Sequence, residues 1–420
     1  MNLTVFKNAE LIPIVRDGLL PGYDLWVEDG IITRLTPTGR NLPEGVRLVD
    51  CTGKYILPGL IDSHIHLVPG CENDLKVLVA FGVTSVRNMW GNQPVDLETP
   101  GVDARCLRED LAAGRVVGPT LVNTSRILDG TPTVQVCSRS LNTVNDAMLF
   151  IKEALREGAT QLKVYKNLLP EVLDALHELG AEHGLRIVGH KPDAVLAEDF
   201  FSKAYSVEHT FTFALADVSA LQRSNCYFVP TLVMENNIDL LVSGEGAILA
   251  SQAQVYDKFI SPAIAKVWKD VQAEEMRPRL EEFADFQQTR LKVEKYVAQG
   301  GIPAAGTDFP NPFCYPGTSL HDEMVLLHEC GLTNQQTLFA ATLQSARVLE
   351  IEDRKGTLEI GKDADLLVLT SNPLVDIHNT LSIETVVLRG RQFDRPALDG
   401  LLVDAAQAVR IARDGQECSK

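Results

Sequence analysis

The sequence predicts an α/β fold: a (β/α)8 barrel carrying a small β-sandwich domain built from the N- and C-terminal segments. Three observations carry this expectation. Between residues 57 and 354, strand-like and helix-like stretches alternate eight times, the signature of parallel βα units closing into a barrel. The two ends, 1–56 and 355–420, show short strand-like runs instead, and chain ends often lie close together. Finally, 420 residues are too many for one ordinary core, yet they fit one barrel with an appended unit.

The small unit begins with runs at Leu11–Val15, Tyr23–Glu28, Ile31–Leu35 and Arg47–Val49, and Asp29-Gly30 between two of them is a hairpin signal. Its later partners are Leu366–Leu369 and Thr385–Arg389. The first barrel strand lies in Tyr55-Ile-Leu-Pro-Gly-Leu-Ile-Asp-Ser-His-Ile-His-Leu67. Helix Glu72–Phe81 and Gly82 then lead to strand Val83–Asn88, and helix Ala104–Ala113 to strand Thr120–Thr124. Helix Asn142–Glu157 ends at Gly158 and feeds Gln161–Tyr165. Helix Pro170–His183 stops at Gly184, a good C-cap, before Arg186–His190. Helices Asp193–Lys203 and Ala216–Arg223 precede strands Tyr205–His209 and Cys226–Thr231. The charged, helix-patterned stretch 235–299 is too long for one crossover and is expected to lay extra helices over one barrel end. Strand Ile302–Thr307 completes eight, and helices Ser319–Cys330 and Asn334–Leu349 follow.

Composition narrows the class of function. With 45% hydrophobic and 23% charged residues, the chain has a globular balance. A net charge of −17 repels phosphates, so neither nucleic acid nor an anionic membrane is an expected partner. No stretch approaches the roughly 18 apolar residues of a membrane span, and the start lacks a basic region followed by an apolar core. The eight cysteines are scattered without a CxxC pair, as expected of free thiols in a reducing cytoplasm.

The chemistry gathers at the strand ends, where barrel active sites form. In His64-Ile65-His66 the two imidazoles share one strand face and could chelate one ion. Taken singly, each polar strand end could merely cap a strand or the next helix. Lys163, His190, His209 and Asp308 nevertheless join the pair at strand ends, and such convergence of ligand types favours a metal centre. Lys163 shares a face with Gln161 and Tyr165, whereas Leu162 and Val164 face the helices, so parity turns Lys163 inward. An inward lysine is costly unless neutral or modified. A neutral amine can add carbon dioxide and become an anionic carbamate able to bridge two metals. Lys166, past the strand, is the rival candidate but is expected to face solvent.

The ordered set Leu57–His66, Gly82–Arg87, Leu162–Tyr165, Val188-Gly-His190, Glu208-His209 and Gly306-Thr-Asp308 resembles the amidohydrolase superfamily in its binuclear, lysine-carboxylated form. Ala341–Arg347 and Gly356–Leu367 extend the likeness over nearly the whole chain. The similarity is strongest to the subgroup of Xaa-Pro dipeptidases and imidazolonepropionase-like proteins. It implies that His64, His66 and Asp308 hold one divalent ion, and that His190 and His209 hold another. Carboxylated Lys163 and a hydroxide would bridge them, and Asp308 would pass the proton from attacking oxygen to leaving group. Four neutral imidazoles and one Asp leave two dications poorly neutralised, which favours the added anion. Zinc is the first expectation, with manganese, iron and cobalt also suited to these ligands.

The implied reaction is hydrolysis of an amide C–N bond in an N-acyl amino acid or Xaa-Pro-like dipeptide. A carbamate, urea, lactone or ester of xenobiotic type is the alternative. A non-catalytic relative would be expected to lose ligands, and all six are present. Trp90, Tyr165, Phe211, Phe313 and Tyr315 are candidate substrate contacts, and His321 a candidate to orient a ligand. The expected partners are a small-molecule substrate and further copies of the chain in a homo-oligomer.

Overall fold

The computed structural model describes residues 3–93, 101–135, 138–245, 247–271, 280 and 284–417. The N-terminal strands are β1 (Leu3–Leu11), β2 (Leu20–Glu28), β3 (Ile31–Pro37), β4 (Arg47–Asp50) and β5 (Tyr55–Pro58). Next come β6 (Leu60–Ile65), β7 (Val83–Asn88), β8 (Thr120–Asn123), β9 (Leu128–Asp129), β10 (Arg139–Ser140), β11 (Gln161–Val164), β12 (Arg186–Gly189), β13 (Ala204–Glu208) and β14 (Tyr227–Val229). β15 (Leu366–Leu369), β16 (Ile383–Leu388) and β17 (Arg391–Asp394) follow the last central helix.

The two chain ends do meet. β15 runs antiparallel to β5, pairing Leu367 with Leu57, and the sheet order is β17-β16-β15-β5-β1-β2-β3, with β4 beside β1. Phe6, Leu25, Ile32, Ile56, Leu366 and Val387 form a core of their own on it. The strands are hydrogen-bonded into one continuous eight-stranded sheet. A strand boundary needs correction. The first strand is Leu3–Leu11 rather than Leu11–Val15, because Pro13 offers no N–H to continue a ladder. The last segment is moreover a helix, Arg395–Glu417, packed on helix Glu72–Ala80.

The central strands are parallel, as their alternation with helices predicts, in a three-stranded sheet β6-β7-β8 and a six-stranded sheet β10-β9-β11-β12-β13-β14. Thr124 bridges to Gln161 between the two sheets on one side. On the other side stands the expected eighth strand, 302–307, which carries no strand pairing among the described residues. It is nonetheless stitched to both neighbours: Ala304 N donates to Phe228 O (2.8 Å), Ser63 N to Ala305 O (3.0 Å) and Asp308 N to His64 O (2.8 Å). The ladder is interrupted because a side chain intrudes. Asp62 accepts from the backbone N–H of His64 and of Thr307 and from the Thr307 hydroxyl. Ala305 N turns away to Ala340 O, on a π-helical turn at Ala340–Gln344. The architecture is therefore TIM-barrel-like, with parallel sheets and no continuous closed ladder.

Helix ends follow local chemistry. Helix Val144–Glu157 starts in a capping box between Thr143 and Asp146 and stops at left-handed Gly158. The long insertion supplies helices Leu232–Ser243, Ala247–Tyr256, Pro262–Val271 and Phe286–Ala298. Among the described residues no helix is long and apolar enough to cross a membrane.

Candidate metal centre

His64 near the end of β6 and His66 just beyond it hold their rings 5.1 Å apart. Asp308 meets both: its Oδ1 lies 2.8 Å from His66 Nε2 and 3.3 Å from His64 Nε2. These three residues form a group whose ligand atoms all lie within 4.8 Å of one another. Asp308 Oδ2 is 3.8 Å from His209 Nε2, and the His209 ring stands 4.6 Å from that of His190. His209 and Asp308 take φ of 64° and 58°, as Thr231 takes 52°. A left-handed backbone costs a non-glycine residue about 1–2 kcal/mol, and such outliers collect at functional sites.

Hydrogen bonds set the tautomers. The Thr231 hydroxyl donates to Pro230 O, so it must accept from His209 Nδ1–H at 2.7 Å, which leaves Nε2 as the free base. His64 Nδ1 lies 2.9 Å from Glu208 Oε2; a carboxylate accepts, so His64 also carries its proton on Nδ1. Glu208 is fully buried and pairs with the equally buried Arg87 at 2.8 Å. Arg87 reaches Ser63 O, Gln161 and Ser206 as well.

Burial dominates the titration of the site. It holds His64 and His190 well below the usual imidazole range and His209 down to about 3. Burial pushes the Asp308 carboxyl up, but the His209 and His66 rings outweigh it and keep it below the ordinary value. Lys163, 1% exposed, is lowered by burial to about 8. His64 Nε2, His190 Nδ1 and Lys163 Nζ are buried with no hydrogen-bond partner among the described residues. Nitrogen bases and a carboxylate that lack partners and face one another fit a divalent ion.

A cavity of about 700 Å³ opens above this floor, touched by His66, Lys163, His190, His209 and Asp308. Of the expected substrate contacts, Trp90, Tyr165 and Phe211 line it. Trp90 packs 4.7 Å from His66, Tyr165 4.1 Å from His190, and Phe211 stacks on His209 at 5.1 Å. Phe313 and Tyr315 do not line it: Phe313 stacks on Trp268 and Tyr315 donates to Asp257, so both anchor the insertion. His321 is also corrected. Its ring nitrogens meet Thr380 Oγ1 and Phe81 O, tying its helix to the C-terminal segment rather than orienting a ligand. Lys166, expected in solvent, borders the cavity.

Sequence reasoning assigned no role to Arg87, Glu208, Thr231 or Asp62. A signal existed for the first two: Arg87 shares a strand face with Ser85, and Glu208 with Ser206, so each is a charge on an otherwise small, inward face.

A parallel α/β body with such a cluster at its strand ends offers a candidate metal site of the kind that supports hydrolysis. The model of the amidohydrolase family matches residues 55–393, and the chain belongs to that family. It is a hydrolytic enzyme, and the family implies divalent metal ions. An imidazolonepropionase of Photorhabdus laumondii is 25% identical over 92% of this chain and 95% of its own. A dihydroorotase of Pelobacter propionicus is 35% identical, but over 28% of each chain. Among solved structures, a bottromycin amidohydrolase aligns with a TM-score of 0.77 at 23% identity, covering 97% of this chain and 91% of its own. A Xaa-Pro dipeptidase with methionine in its active site gives 0.73 at 19%, over 93% and 100%. At these identities the structural likeness establishes the fold.

Proposed function

We propose that the chain hydrolyses an amide C–N bond in an N-acyl amino acid or Xaa-Pro-like dipeptide. The observation that carries this reading is the convergence of His64, His66, His190, His209 and Asp308 on a buried lysine amine without a partner. His64, His66 and Asp308 would hold one ion and His190 and His209 the other, with zinc the first choice. Lys163 would supply the anionic ligand between them: its neutral amine would add carbon dioxide and release a proton to give a carbamate. The ions, when bound, would supply an activated water and polarise the scissile carbonyl. Asp308 accepts the water's proton and returns it to the leaving nitrogen. Trp90, Tyr165 and Phe211 flank the scissile bond, and the largely apolar wall excludes water from it.

That wall also favours a second reading, since a neutral carbamate, urea, lactone or ester would suit it equally. Assaying N-acyl amino acids and dipeptides beside aryl carbamates and ureas separates the two. Turnover confined to the second set would sink the amide version. We further read 57–354 as the catalytic barrel with an insertion near 235–299, and 1–56 with 355–420 as one flanking unit. The chain acts as a homo-oligomer in the cytoplasm, a setting that suits the six unpaired cysteines among the described residues; light scattering tests the assembly.

A further inference from the structure

Four histidines face the centre, and their outer partners differ. Among the described residues His64 alone is backed by a charge, the Glu208 carboxylate at 2.9 Å, which Arg87 and the Ser206 hydroxyl hold through the other oxygen. His209 is backed by the neutral hydroxyl of Thr231. The outer Nδ1 of His66 has no partner among the described residues. A carboxylate behind an imidazole raises its basicity and fixes its rotation, which strengthens the bond its far nitrogen can make. The same three residues, His64, His66 and Asp308, are also the ones whose ligand atoms are already gathered, so an ion entering there reorganises little.

We propose that Glu208, clamped by Arg87, is a positioning residue that makes the His64–His66–Asp308 site the tighter of two unequal metal sites. Loading is then ordered: the first ion enters beside His66 and Asp308, and the second completes the centre at His190 and His209. Buried Arg87 has no other carboxylate partner among the described residues. Its fork is fixed to β6, β11 and β13, so the cation that holds Glu208 is itself held, and Glu208 cannot swing away without giving up Arg87, Ser206 and His64. This inference rests on the ligand assignment proposed above, and the test separates the two.

Zinc is titrated into the metal-free full-length protein, in bicarbonate buffer, against a competing chelator. The wild type is expected to show two steps, the first at least about tenfold tighter. In Glu208→Gln the tight step should weaken by about 10- to 100-fold while the loose step moves less than about threefold. Thr231→Val should weaken the loose step alone. If Glu208→Gln misfolds by circular dichroism, Arg87→Gln/Glu208→Gln removes both buried charges and carries the same expectation. Two equal steps in the wild type would overturn the inference. So would a folded Glu208 variant whose steps fall together or not at all, or a Thr231→Val that weakens the tight step. Wild-type protein that binds no zinc would overturn the ligand assignment itself. The wild-type titration tests whether the two sites are unequal, Thr231→Val tests which of them is the loose one, and the Glu208 variants test the cause.

Discussion

Replacing Lys163 with methionine should abolish turnover and at the same time stabilise the metal-free chain. The side chain is 1% exposed and its Nζ has no hydrogen-bond partner among the described residues. Burial lowers its pKa from 10.5 to about 8. Converted to free energy, that gap is on the order of 3 kcal/mol of penalty for carrying the ammonium into the fold. The group is buried, so solvent screening offers no discount. Below pH 8 both folded and unfolded chains are protonated and the penalty is complete. Between about 8 and 10.5 only the unfolded chain holds the proton, so wild-type stability rises with pH. Above that range both forms are neutral and the penalty is gone. Lys163→Met removes the amine and keeps an unbranched side chain in its place. Urea unfolding of the metal-free proteins in carbonate-free buffer should therefore favour the variant at pH 7, with the gap closing toward pH 10.5. In zinc and bicarbonate the variant should bind fewer than two ions and lose turnover on the order of 100-fold or more. A variant no more stable than wild type at pH 7, or a gap independent of pH, would refute the stability argument. Two ions with near-normal rates would refute the bridging role.

Arg87→Met strands Glu208 without its cation in a dry interior, and breaking such a pair costs about 3–5 kcal/mol; the fall in urea midpoint measures it. Chelation should remove activity while leaving far-UV circular dichroism intact, because the cores around Phe6 and around Phe150 and Phe200 are held by apolar contacts rather than by the ligand residues. Restored zinc at about 100 times its Kd should recover activity and add about 3 kcal/mol of stability. Ile264→Asp places a charge in the cavity wall that the insertion helix Pro262–Val271 supplies. It should lower kcat/KM for apolar substrates by about 10- to 100-fold, the scale of one lost hydrophobic contact plus an unpaired charge, with metal content unchanged.

The inward face of the site was legible in the sequence because strand parity is local. His64, Lys163, His190 and His209 sit at strand ends, and period-two alternation is enough to turn them one way. What escaped depends on contacts between distant segments. Nothing local marks Glu208 as the partner of Arg87, 121 residues away, or distinguishes Phe313 from Phe211 as a cavity wall. His321 follows the eighth segment closely, yet its ring points to Phe81 and Thr380, a direction set by how its helix docks on the C-terminal segment. The eighth segment itself shows the limit from the other side. Its apolar, small-residue pattern reads as a strand, and its backbone does bridge β6 and β14. Asp62, one residue in β6, takes the ladder's donors, and that competition cannot be read from residues 302–307 alone.

The same residues explain why the site is expensive to build. A lysine without a partner and left-handed His209 and Asp308 touch the cavity, while a buried Arg87–Glu208 pair and left-handed Thr231 back its ligands. The lysine and the left-handed residues each lower stability on their own, and the ion pair, which ties three strands together through Arg87, carries the cost of two desolvated charges. Elsewhere the local rules agree: Gly158 ends its helix, the Thr143–Asp146 box begins one, and β5 meets β15 in an apolar seam. Left-handed non-glycine residues occur elsewhere too, Ile14, Glu350 and Arg389 among them. At the site, however, three of them coincide with an unpartnered buried amine and a buried ion pair. Such a concentration of local conflicts is expected where something other than stability selects them. An anionic bridge and two cations would relieve several of these costs together, because the unpaired amine, the facing imidazoles and the Asp308 carboxylate would then satisfy one another through the ions.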